Sequence, residues 1–191
     1  MSRFGQRTAH AANPICTYRR WTMGIFSADV NSLRELYLTT MEHALNSERQ
    51  IAEKGLPAMI EKATNPQLKT AFSRHLEETK QHVMRLQAIL DATEGEATEA
   101  KCKVTAALIG EAESQVKDAA NEEIRDVVLI AAGNQVEHHE IAVYGTLRTW
   151  AELLGESEHA AILDKTLQEE ENADAVLTEL AERLSVAAPV A

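Results

Sequence analysis

Between Gln135 and Leu147 the chain reads QVEHHEIAVYGTL, in the middle of a long helical repeat that must turn an apolar stripe toward a core. At roughly 100° per residue, Ile130, Glu137, Ile141, Tyr144, Ala151 and Leu154 share one face. Glu137 therefore stands where the repeat asks for a Leu. A carboxylate in a helical core costs on the order of several kcal/mol unless a partner neutralises it. What that partner is decides what the chain does.

Three other stretches repeat the pattern. A first helix should start between Ser27 and Ser32, where Ser32-x-x-Glu35 can form a capping box. Its stripe is Val30, Leu33, Tyr37, Met41, Ala44, Ile51, Ala52 and Met59, with Glu48 at the centre. Gly55 and Pro57 should loosen its last turns, because Pro57 brings no N–H for the carbonyl of residue 53. Asn65-Pro66 starts a second helix, Asn as cap and Pro at the first helical position. Its face runs Leu68, Phe72, His75, Leu76, Thr79, His82, Val83, Leu86 and Leu90, with Glu78 on the flank.

The repeat weakens from Asp91 to Asn121, Gly95 breaks it, and Val104–Val116 reads as a short helix inside the connection. Asn121 caps the third long helix, which stops at Gly155. Ser157 caps the fourth, with Leu163, Leu167, Leu177, Ala181 and Leu184 on its stripe and Glu170 and Asp174 interrupting it. Two hairpins joined by a long connection are the layout of a four-helix bundle with a crossover, as in ferritin-like folds. Ala, Leu, Glu and Lys dominate and aromatics are only 4%, so the class is all-α.

The expected bundle domain spans 23–186. Residues 1–22 show neither a helical period nor the apolar run of a secretory signal, and read as a disordered extension or as a start placed ahead of Met23. Residues 187–191 read as a frayed tail. The net charge is −11, and residues 1–22 hold four of the 19 basic residues and none of the 30 acidic, so the remainder is more acidic still. Such a surface repels nucleic acid and attracts cations. No apolar run approaches the ~20 residues that span a bilayer. Cys16 and Cys102, with no Cys-x-x-Cys spacing and no His near either in the pattern, read as free thiols in a reducing cytoplasm.

Each long helix thus brings ionisable groups to its core face: Glu48; His75, Glu78 and His82; Glu137, with Glu140 at the edge; Glu170 and Asp174. Glu48 and Glu78 lie 30 residues apart and Glu137 and Glu170 lie 33 apart, which sets them at similar heights on antiparallel neighbours. Carboxylates meeting in a low-dielectric core repel one another, and two divalent cations would balance about four of them. An oxygen-rich set with His and no thiolate favours iron or manganese, with zinc an alternative. The usual arrangement takes a Glu from each of two helices and Glu-x-x-His from each of the other two. Here the second helix reads His75-x-x-Glu78 and Glu78-x-x-x-His82, and the fourth Glu170-x-x-x-Asp174, so weaker or mononuclear binding stays open. In the dinuclear reading Glu48 and Glu137 bridge or clamp the ions while Glu78, His82, Glu170 and Asp174 are terminal. His138 belongs at the rim; His139, Glu53, Glu77, Glu169 and Glu171 face solvent, and Tyr144 is core.

The segments NPQLKTAFSRHLEETKQHVMRL, RDVVLIAAGNQVEHHEIAVYGTL and LQEEENADAVLTELAE resemble the YciE/YciF family of ferritin-like stress proteins, over about Met23 to Ser185. The resemblance implies a ferritin-like bundle, a homodimer, a di-metal site between the helices and a bacterial stress-response setting. By position its candidate ligands are Glu48 in NSERQ, Glu78 in HLEET, Glu137 in VEHHEIA and Glu170 in LQEEE. The expected function is a cytoplasmic protein holding two iron or manganese ions and reacting them with O₂ or peroxide. The alternative is a non-catalytic dimeric stress or scaffold protein with a vestigial site.

Overall fold

The computed structural model describes residues 30–94 and 100–187; the expectations for residues 1–22, Cys16, Gly95 and the tail lie outside them. The chain forms α1 (Leu33–Gln50), a π-helical turn (Ile51–Gly55), α2 (Leu56–Lys62), α3 (Pro66–Glu94), α4 (Lys103–Asp118), α5 (Glu122–Leu153) and α6 (Ser157–Ala187). There is no strand among the described residues, and no helix there is long and apolar enough to cross a membrane. Helix α1 with α3, and α5 with α6, make the two hairpins, and α4 lies in the crossover against α1 and α5.

Local chemistry sets the boundaries. Ser32 caps α1 by accepting the Glu35 N–H at 3.1 Å, while the Glu35 carboxylate accepts from Asn31, one residue earlier than a reciprocal capping box requires. Val30 and Leu33, expected on the buried stripe, are 47% and 37% exposed, because the helix only begins at Leu33. Pro57 does not break the helix. The turn before it widens, so that the Leu56 N–H reaches back five residues to the Ile51 carbonyl. Asn65 Oδ1 caps α3 through the N–H groups of Gln67 and Leu68. At the other hairpin Gly155, at φ 77°, sends its N–H to the Glu152 carbonyl, and Glu156 bonds to Ala151, the double bond that closes a helix on glycine. Ser157 is the first residue of α6 rather than its cap.

The core is in two parts. One holds Tyr37, Met41, Leu45, Leu86, Leu90, Tyr144, Leu147 and Leu163. The other holds Ile51, Leu56, Leu68, Phe72, Leu129, Ile130, Leu177 and Leu180. Each fully buried aliphatic or aromatic side chain contributes roughly 1.5–3 kcal/mol. On every long helix the interval between the two clusters holds buried ionisable residues. The acids and imidazoles thus form a polar layer clamped between two apolar ones.

Candidate metal centre

Six side chains meet in that layer: Glu48 from α1, His75 and His82 from α3, Glu137 and Glu140 from α5, and Glu170 from α6, all buried. Seven residues separate His75 from His82, almost two full turns, so α3 presents both imidazoles to the same interior. His75 Nε2 lies 3.3 Å from Glu137 and 3.6 Å from Glu170. His82 Nδ1 lies 3.0 Å from Glu170 and 3.4 Å from Glu48. Donor atoms of His75, Glu137, Glu140 and Glu170 all fall within 4.8 Å of one another, and so do those of Glu48, His82 and Glu170. Glu170 is common to both groups; sequence reasoning had given the shared positions to Glu48 and Glu137.

The layer is not satisfied by hydrogen bonds. Glu48 Oε2, His75 Nδ1 and Nε2, His82 Nδ1, Glu137 Oε2 and both oxygens of Glu140 and Glu170 are buried without a hydrogen-bond partner. Native interiors leave few such atoms, and each represents an uncompensated desolvation cost of about 1–3 kcal/mol. A donor set of four carboxylates and two imidazoles fits hard or borderline divalent cations, so these groups could hold metal ions.

The electrostatics show the same tension. Burial, and next the neighbouring carboxylates, push the Glu140 carboxyl well above its ordinary range. Burial raises Glu137 to about 8, the His75 charge offsetting part of the effect, and raises Glu48 against the hydrogen bond and charge of His82. Burial opposes charge on the imidazoles, but Glu137, Glu78 and Glu170 together raise His75 to about 9. Likewise burial opposes, and Glu170 and Glu48 outweigh it to raise, His82 to about 11. Protons are thus drawn into the layer.

Two candidates from the sequence stand aside. Glu78 is 3.8 Å from His75 Nδ1 and hydrogen-bonded to Arg74 at 3.0 Å, behind the imidazole rather than in the cluster. Its pKa is lowered, first by His75 and then by Arg74. Asp174 lies at the rim, 3.5 Å from exposed His138. Glu169, expected to face solvent, instead takes His82 Nε2 at 3.0 Å and a two-nitrogen contact from Arg85. His82 therefore has on its far side a carboxylate backed by an arginine, within hydrogen-bond distance of its outer nitrogen, an arrangement that fixes ring orientation. At His75 the Glu78 carboxylate stands 3.8 Å off, beyond such a bond. In the neutral form of His82, donation from Nε2 to Glu169 would leave the Nδ1 lone pair facing Glu48 and Glu170. Tyr144 is core as expected, and its hydroxyl donates to Glu48. His139 is half-buried, not solvated, because α4 covers that side of α5; its Nε2 is 3.9 Å from Cys102 Sγ. Burial raises the Cys102 thiol, but His139 and Thr105 outweigh it and bring it down to about 6. Cys102 precedes a helix rather than lying on one, so no periodicity could pair it with His139.

Comparison with known proteins agrees with this architecture. Residues 32–188 match a domain of unknown function, DUF892. The chain is 34% identical over 154 residues to protein YciF of Escherichia coli K12, covering 80% of this chain and 92% of that one. Among solved structures, the E. coli stress protein YciF superposes with a TM-score of 0.77 at 33% identity, over 82% of this chain and 98% of that one. YcfI of Rhodopseudomonas palustris gives 0.77 at 35%, over 81% and 98%. A protein of Xanthomonas campestris pv. campestris gives 0.67 at 28%, over 82% and 95%. A helical bundle with this sequence similarity along most of its length belongs to the DUF892 family, alongside the stress protein YciF.

Proposed function

We propose that this protein is a ferritin-like stress-response protein whose polar layer holds two iron or manganese ions. The observation that carries the reading is the set of buried, unpartnered oxygens and ring nitrogens converging on Glu170 from all four long helices. His75, Glu137, Glu140 and Glu170 would hold one ion, and Glu48, His82 and Glu170 the other. Bound iron or manganese supplies one-electron chemistry toward O₂ or peroxide. The chain's own contribution is to orient and to exclude. Glu169 and Arg85 set the ring of His82, Tyr144 directs its hydroxyl at Glu48, and the two apolar clusters keep bulk water from the layer. The proposed setting is a homodimer in a reducing cytoplasm.

Metal analysis of protein made in iron- and manganese-rich medium tests this. The wild type should carry metal and a Glu137→Ala variant should lose at least half of it; full retention in the variant would count against the reading. A second reading is favoured by the raised imidazole pKa values, since two imidazolium ions offer the carboxylates a balance without metal. In that case the chain is a non-catalytic stress or scaffold protein. Chelator would then leave the melting temperature unchanged, whereas a tightly bound metal raises it by mass action.

A further inference from the structure

Beside the polar layer, under the crossover helix, lies a cavity of about 240 Å³ whose walls are almost wholly apolar. Leu56 of α2, Phe72 of α3, Ile109 of α4 and Val136 of α5 line it, and its boundary includes His75 and Glu137. Protein interiors are packed to crystal-like density, so apolar space on this scale needs a reason. Gly55 of the π-turn and Gly133 of α5 both stand on the wall. A Cβ on Gly55 would make ordinary contact with Ile109 at 3.5 Å, whereas one on Gly133 would come to 2.8 Å from Leu177, so there glycine is required by close packing. The volume falls below the ~300–1,000 Å³ usual for drug-sized ligands, which favours a single narrow chain over a ring system.

The polar residues of the lining carry the second half of the argument. Lys62 and Lys117 both line the cavity and both are exposed, which sets them at its opening; Glu113 is the acid there. Lys62 pairs with its chain neighbour Glu61 at 3.2 Å, but that side chain is 75% exposed and the contact holds it weakly. In a chain of net charge −11, two lysines at the mouth of an apolar cavity are complementary to an anion.

We propose that this cavity binds a medium-length aliphatic carboxylate, its carboxylate at Lys62 and Lys117 and its alkyl chain running inward toward His75 and Glu137. The binding site stands independently of metal in the polar layer. Calorimetric titration of decanoate into the full chain, with and without chelator, tests it, with 1-decanol and decylamine as controls. One saturable site should appear in both conditions, decanol should bind more weakly, and decylamine should not compete. Ala112→Trp, which fills the cavity from α4, should abolish binding. The surface pair Lys62→Gln with Lys117→Gln should weaken decanoate roughly five-fold, as expected for two exposed ion pairs, and leave decanol unchanged. Absence of a saturable site overturns the proposal. So does equal affinity for decanoate and decylamine, or a folded Ala112→Trp protein that binds like the wild type.

Discussion

Glu169 and Glu170 are adjacent in the chain and stand in different surroundings. Glu170 is wholly buried between two imidazoles, while Glu169 reaches round His82 to its outer nitrogen and meets Arg85. Helical periodicity could tell that Glu170 faces inward. It could not tell that Glu169 would be recruited, because that depends on Arg85 arriving from a neighbouring helix. The same limit explains Glu78, which spacing placed on the flank of the core face and Arg74 holds behind His75. Spacing sets Glu140 at the edge of the core face, whereas the structure buries it beside His75, Glu137 and Glu170. If Glu169 orients His82, Glu169→Ala should lower metal affinity about 10–100-fold while leaving the helical circular dichroism spectrum intact. Equilibrium dialysis against iron(II) or manganese(II) measures it, and unchanged affinity would remove Glu169 from the site. Cys102, with its thiol lowered to about 6 beside His139, gives a separate expectation. In a Cys16→Ser background its alkylation rate should rise with pH around 6 and level off by 7.5, whereas a His139→Ala variant should need about two further pH units.

At the level of elements, caps and breakers were legible: Ser32, Asn65, Asn121 and Gly155 all mark helix ends through local bonds that the sequence spells out. What Pro57 would do was only half legible. A missing donor predicts disturbance, but whether the chain kinks or widens into a π-turn depends on what packs around it. The link between α2 and α3 hides a further long-range device. Asp126, on α5, accepts from the Thr64 N–H at 2.8 Å, the Asn65 N–H at 2.8 Å and the Thr64 hydroxyl at 2.6 Å. One carboxylate thus pins the first hairpin to the second. Asp126→Ala leaves the two backbone donors unanswered in part-buried surroundings and should cost about 2–3 kcal/mol. For a chain of this length that lowers the melting temperature by about 4–12 °C. A shift below 1 °C would show that water replaces the carboxylate without loss.

For the whole molecule, the fold follows from four amphipathic stretches and one long connection, all visible in sequence. The layering is only partly visible: spacing within each hairpin puts acids at similar heights, but only the folded bundle sets the six groups between two apolar clusters. That layering makes stability depend on pH. Glu137, at about 8 against an ordinary 4.5, and His75 and His82, at about 9 and 11 against 6.5, all hold protons more tightly in the folded chain. The stabilisation they contribute is full below the ordinary values and is lost as pH rises through the folded ones. Cys102, lowered to about 6, works in the opposite sense, so the cleanest test uses Cys102→Ser. Stripped of metal, that variant should melt at progressively lower temperature from pH 6 to pH 9, and added manganese should raise the melting point more at pH 8 than at pH 6, because the ligands bind deprotonated. A flat profile would mean the layer takes up no protons. The most direct measurement is an anaerobic calorimetric titration of iron(II) into the chelator-stripped chain and its Glu170→Ala variant. Two ions bound per chain, falling to one or none when the shared carboxylate is removed, is the predicted result; no binding by the wild type, or two ions still bound by the variant, would contradict it.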